Sequence, residues 1–154
     1  MTEPLVNILT RTSNRPVGIE RNINSIKSQT YDNINHIIGT DDPDSVANVN
    51  RLTGKDPILF DREKITQSDP NKPNGFGLPP LPRLNTGRYS PQNLYLNILN
   101  EEVESGYIMY LDDDDYIAPT TAIAEIVEQI SRHDDDIVYY FQMERIVTLQ
   151  VDVL

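Results

Sequence analysis

Tyr107-Ile-Met-Tyr-Leu-Asp-Asp-Asp-Asp-Tyr116 sets an apolar run directly against four consecutive carboxylates. The run reads as a buried strand, and the tetrad stands at its exit. Adjacent like charges raise each other's pKa and repel, so a folded chain rarely collects them without a cation. Side chains alternate along an extended chain, which would point Asp112 and Asp114 the same way, roughly 7 Å apart at about 3.3 Å per residue. Oxygen donors so arranged suit a hard divalent ion such as Mg²⁺ or Mn²⁺. Four aspartates in a loop ordinarily form a solvated acidic turn; the strand that delivers them here favours a site instead.

Working outward, the flanking segments alternate between strand and helix patterns. Leu5 to Leu9 is a short apolar run. Pro16 suits the first turn of a helix, and Ile19, Ile23 and Ile26 follow at helical spacing, with an end expected near Gln29-Thr30. Ile34 to Ile38 is a second strand, closed by Gly39-Thr-Asp-Asp-Pro43. Ser45 to Val49 suggests a short helix, and Pro57 to Phe60 a brief third strand. Residues 62–90 form a Pro/Gly-rich loop, with prolines at 70, 73, 79, 80 and 82; so long a loop inside a domain is often functional. Ser90-Pro91 would open a helix burying Tyr95, Ile98, Leu99 and Val103. Pro119 opens another, with Ile123, Ile126, Val127 and Ile130 on one face. Ile137 to Phe141 reads as a fifth strand and Ile146 to Leu154 as a sixth, antiparallel one. The pattern predicts an α/β fold, a mostly parallel open sheet with helices on both faces.

Composition narrows the function. The 154 residues suffice for one domain with a core. The net charge of −11 argues against nucleic-acid or anionic-membrane binding by long-range attraction. The chain has no cysteine, which excludes disulfides, thiol catalysis and zinc–thiolate sites. No segment approaches the ~20 apolar residues of a membrane span, and the N-terminus lacks a signal pattern, so a soluble, cytoplasmic protein is expected.

Ligands of open α/β sheets bind beyond the carboxyl ends of the strands. Three polar clusters fall at such ends: Thr10-Arg11-Thr12-Ser13-Asn14-Arg15, Asp41-Asp42-Pro43-Asp44-Ser45, and Asp112 to Asp115. In a parallel sheet they share one cleft, where arginines and a cation could hold a diphosphate and the second cluster could accept from a base or ribose. Taken singly, Arg11 and Arg15 read as surface charges and Asp41-Asp42 as turn residues; their convergence carries the functional reading. His36 reads as a packed strand histidine and His133 as a helix C-terminal cation. Asp134 to Asp136 reads as a solvated turn. Tyr107, Tyr110, Tyr139 and Tyr140 are expected in the core. Ile117 stands where an EF-hand loop needs glycine. No G-x-x-x-x-G-K or G-x-G-x-x-G occurs.

These residues resemble the N-terminal part of inverting family 2 glycosyltransferases, which have the GT-A fold. The matching blocks are Arg11-Thr-x-x-Arg15-Pro16, Asn24-Ser25-Ile26, Ser28-Gln29-Thr30-Tyr31-x-Asn33-Ile34, Asp41-Asp42-x-Asp44-Ser45, and Leu111-Asp-Asp-Asp-Asp115 at the D-x-D position. The resemblance covers about residues 5 to 145. It implies a single nucleotide-sugar-binding domain, residues 1–154, and sugar transfer from a nucleoside diphosphate sugar, UDP-sugar favoured, to a hydroxyl acceptor. It further implies that Thr10, Arg11, Thr12 and Arg15 line the nucleotide pocket, with Asp41 or Asp42 accepting from the base. Asp112 and Asp113 would contact the nucleotide, and Asp112, Asp114 and Asp115 would hold a divalent cation, Mn²⁺ or Mg²⁺. Asn93-Leu-Tyr-Leu-Asn97 departs from the family's usual Ala-Arg-Asn-like helix, and no residue takes the role of the general base that inverting transfer needs. The alternatives are a nucleotide-sugar-binding module without transfer and, less favoured, a metal-dependent phosphohydrolase. The latter usually carries its acid pair after the first strand, not the fourth.

Overall fold

A computed structural model describes residues 3–61 and 92–132 of the chain. The described elements run β1 (Val6–Thr12), α1 (Pro16–Lys27), β2 (Ile34–Thr40), α2 (Pro43–Thr53), β3 (Ile58–Leu59), α3 (Gln92–Glu101), β4 (Tyr107–Tyr110) and α4 (Ala122–Ile130). Four parallel strands form one sheet in the order β3-β2-β1-β4. This is the predicted α/β architecture. The fifth and sixth strand expectations, His133, the Asp134 to Asp136 run and the Pro/Gly loop lie outside the described residues.

β1 is one of the two inner strands and is buried on both faces. Val6 and Ile8 look toward α1 and α4, packing with Ile26, Tyr31, Ile117, Ile123 and Val127. Farther along the same face, Ile38 packs with Ile19 and Ile23 of α1 and Val49 of α2. The opposite face presents Leu9 to Phe60 and to Tyr95 and Leu99 of α3. Burying each such Ile or Leu contributes on the order of 2 kcal/mol, and this two-sided burial fixes the register, since a one-residue slip would exchange the faces.

Local chemistry sets the helix ends. Pro16 and Pro43 sit in the first turns of α1 and α2, where a missing N–H costs nothing. Asp42 caps α2, its carboxylate accepting from the Asp44 N–H, and Gly54 closes the helix in the left-handed region with φ of 74°. α2 is therefore longer than the Ser45 to Val49 helix expected from sequence. Gln29 joins two helices. Its Oε1 accepts from the Ile123 N–H at 3.1 Å and its Nε2 donates to the Pro119 carbonyl at 3.2 Å, tying the end of α1 to the start of α4. The Gln-Thr-Tyr block is thus structural, and Tyr31 adds to it by donating its hydroxyl to the Pro4 carbonyl.

Two expectations are corrected. β1 and β2 run on through Thr12 and Thr40, so Thr10 to Thr12 belong to the strand rather than to its exit loop. Tyr107 and Tyr110 are 43% and 53% exposed, not core, because β4 is an edge of the described sheet.

Candidate functional site

The parallel sheet brings the ends of β1, β2 and β4 to one edge, so the three polar clusters meet. The Asp112 to Asp115 tetrad does not continue β4 as an extended chain. It turns, the Asp115 N–H donating to the Asp112 carbonyl at 3.0 Å, and the strand alternation that would have paired Asp112 with Asp114 does not apply. The turn is seated on α1. A Cβ at Gly18 would lie 2.8 Å from the Asp113 carbonyl oxygen, so only glycine allows this approach. From the same helix, fully buried Asn22 donates through Nδ2 to the carbonyls of Asp112 at 2.9 Å and Asp115 at 3.2 Å. Sequence reasoning missed Asn22, although its place between Ile19 and Ile26 on the apolar stripe of α1 marks a polar side chain that must bond internally.

Each side chain of the tetrad has a different environment. Arg11 Nη2 pairs with Asp112 at 3.2 Å. Asp113 is buried and accepts from Thr12 Oγ1 at 2.8 Å and from Arg15 Nη1 at 3.1 Å. Arg15 also reaches the exposed Asp114 at 2.8 Å. The charges of Asp113, then Asp114, raise the Arg15 pKa above its ordinary value. Asp115 is half-buried, and its pKa is raised first by burial and then by Asp114, Asp112 and Asp113. Four carboxylates against two guanidinium groups leave two negative charges, so an anionic ligand would be repelled unless a cation came with it.

Among the described residues no three His, Asp or Glu side chains converge as a ready metal cage. The chemistry of the donor set nevertheless suits a shared ion. Mg²⁺-like ions are commonly held by one or two carboxylates plus substrate phosphates. The Asp112 and Asp114 carboxylates are 46% and 62% exposed, and each is paired with an arginine.

At the exit of β2 the two aspartates separate in role. Asp42 caps α2 and accepts from Ser45 Oγ at 2.6 Å, which holds its pKa below the usual carboxylate value. Ser45 Oγ in turn accepts from the Asn14 N–H at 3.1 Å, joining the first cluster to the second. Asn14 adopts φ of 49°, a left-handed conformation that asparagine tolerates. Asp41 instead receives the Tyr95 hydroxyl on Oδ2 at 3.0 Å. Its buried Oδ1 has no partner among the described residues, nor has the buried Nε–H of Arg11. Tyr95 was expected only as core. Its ring is core, stacked on Phe60 with centroids 4.4 Å apart, but its hydroxyl belongs to the site. Thr10 faces away from the cleft, fully buried with its hydroxyl on His36 Nε2 at 3.0 Å.

No model of a known protein family matches the sequence, and no curated protein matches it. Among solved structures the fold is similar to the crystal structure of S. aureus TarS, with a TM-score of 0.55 and 12% identity over 83% of this chain. The chain spans only 20% of TarS. At that identity the likeness is one of fold. Among the described residues no helix is long and apolar enough to cross a membrane.

Proposed function

We propose that this chain is the donor-binding part of a glycosyltransferase with a GT-A-like sheet, taking a nucleoside diphosphate sugar, with a UDP-sugar favoured, for transfer to a hydroxyl acceptor. The observation that carries the reading is a pair of buried polar atoms, a donor and an acceptor, at one end of the sheet. Arg11 keeps a buried donor and Asp41 a buried acceptor, neither partnered among the described residues. Leaving such groups unpaired costs about 1–3 kcal/mol each, so a bound ligand that meets both gains that back. A nucleoside diphosphate offers a phosphate to the first and a base N–H to the second. The likeness to TarS, a glycosyltransferase, agrees with this assignment at the level of fold.

In this reading Asp112 and Asp114 would hold a divalent cation, Mn²⁺ or Mg²⁺, together with the donor's phosphates. Bound there, the cation would stabilise the departing diphosphate as a Lewis acid. The chain's own part is to orient. Arg11 and Arg15 place positive charge beside the phosphates, Asp113 and Thr12 anchor Arg15 from below, and Asn22 and Gly18 fix the turn.

A thermal-shift series with UDP, GDP, CDP and ADP, each with and without Mn²⁺, tests it. UDP with Mn²⁺ should stabilise the protein by about 2.7 kcal/mol at one hundred times its dissociation constant. Asp114→Asn should remove the Mn²⁺-dependent part and leave the fold intact. Equal responses of wild type and variant would overturn the metal assignment, and no response to any nucleotide would overturn the donor site.

A further inference from the structure

Two fixed backbones bring Arg11 against the acidic tetrad. Arg11 lies inside β1, registered against Gly39 of β2. Asp112 is held from the other side, its carbonyl accepting from fully buried Asn22 at 2.9 Å. Between them, Arg11 Nη2 stands 3.2 Å from Oδ1 and 3.2 Å from Oδ2 of Asp112. One nitrogen thus faces both oxygens, while the Nε–H of the same guanidinium is buried without a partner among the described residues. The Arg11 side chain is 24% exposed against 56% for Arg15, so solvent screens its charge less.

From this we infer that Arg11 sets what the acidic cluster accepts: it disfavours a lone divalent cation and favours one that arrives with a diphosphate. The inference rests on the donor-site reading above and deepens it. Each Asp112 oxygen keeps a lone pair for a cation with Arg11 in place, so the opposition is one of charge and not of space. A guanidinium beside a carboxylate cancels part of the field that would draw a cation there, and its own charge repels that cation. A diphosphate reverses the sign. Its charge is attracted to the same guanidinium, and its oxygens can accept from the Nε–H that is otherwise unpaired. The planar fork of arginine suits phosphate oxygens in a way that the point charge of a lysine does not. Arg11 therefore acts in opposite directions on the two ligands, which a merely structural ion pair would not do.

Two titrations of the whole chain read this out: Mn²⁺ alone, followed by the paramagnetic resonance of the free ion, and then UDP or inorganic pyrophosphate at fixed Mn²⁺, followed by calorimetry. Arg11→Gln removes the charge. It should bind Mn²⁺ alone about fivefold more tightly than wild type, the order expected for one charge near a partly screened divalent ion. The same variant should bind UDP and pyrophosphate about tenfold more weakly, as for loss of a bond to a charged group. Arg11→Lys keeps the charge and loses the fork, so it should leave Mn²⁺ affinity where wild type has it and still weaken both diphosphates. A merely structural role would lower the melting temperature and weaken every ligand alike. If Arg11→Gln binds Mn²⁺ no more tightly than wild type, the proposal is overturned and the donor site still stands. If wild type with Mn²⁺ binds neither UDP nor pyrophosphate, the donor-site reading fails and this inference with it. Should Arg11→Gln not fold, Arg11→Lys carries the test, and either a gain in Mn²⁺ affinity or undiminished diphosphate binding would overturn the proposal.

Discussion

At the scale of single residues, one carboxylate of the tetrad, Asp113, is buried. Asp113 is held by Thr12 and Arg15. Arg15 is more than half exposed, so solvent screens its share. The dry bond from Thr12 matters more for stability. Thr12→Val keeps the shape and removes that donor; urea unfolding should show a loss of about 1.5–3 kcal/mol, the range for bonds to charged groups. His36 gives the chain a pH response. Burial lowers its pKa from 6.5 to about 4. The folded state then binds fewer protons than the unfolded one between those values, so stability is full above pH 6.5 and falls as pH drops toward 4. The loss is up to about 3 kcal/mol at 1.36 kcal/mol per unit, and His36→Gln should remove it, as read from unfolding midpoints at pH 7 and 4. Asp42 acts lower still: its depressed pKa adds stability that is lost only as pH falls below 3.8. Asp115 has the opposite sign, since its raised pKa means that protonation relieves the folded state.

At the scale of elements, α1 organises the functional edge. Its first turn offers Gly18 to the backbone of the tetrad turn, its middle offers Asn22, and its end passes to α4 through Gln29. Gly18→Ala would press a methyl group against the Asp113 carbonyl. Because backbone cannot step aside, a cost of about 1–3 kcal/mol is expected from calorimetric melting, with weaker nucleotide binding alongside. The elements themselves were legible from short-range signals: a proline opening α1, isoleucines at helical spacing in α1 and α4, and apolar runs for β1 and β2. The meeting of the three clusters was legible too, because a parallel sheet sends all strand exits to one side. The pairings inside the site were not. Whether Asp112 to Asp115 stays extended or turns depends on carbonyls that Asn22 meets from 90 residues away. Nothing local in the sequence of α3 says that the Tyr95 hydroxyl reaches Asp41. The outward set of Tyr107 and Tyr110 was also hidden, since an apolar run looks alike at the middle and at the edge of a sheet.

At the scale of the whole molecule, the balance of 13 basic against 24 acidic residues makes this an unusual host for a polyanion. Long-range repulsion should slow the approach of a nucleotide, and salt should relieve it. The association rate of UDP at fixed Mn²⁺, followed by stopped flow, is therefore expected to rise with ionic strength between about 20 and 200 mM, the reverse of what a basic pocket gives. The sheet order has one more result, for the birth of the chain. Arg11 and Asp112 stand 101 positions apart, and β1 joins β2 on one side long before β4 exists for the other. At roughly 5–20 residues per second, a ribosome needs on the order of 5–20 s to synthesise the missing neighbour. Through that interval a nascent β1 carries a bare backbone edge that a foreign strand could occupy. Yield in the cell should accordingly respond to chaperone supply and to translation speed between the codons for β2 and β4.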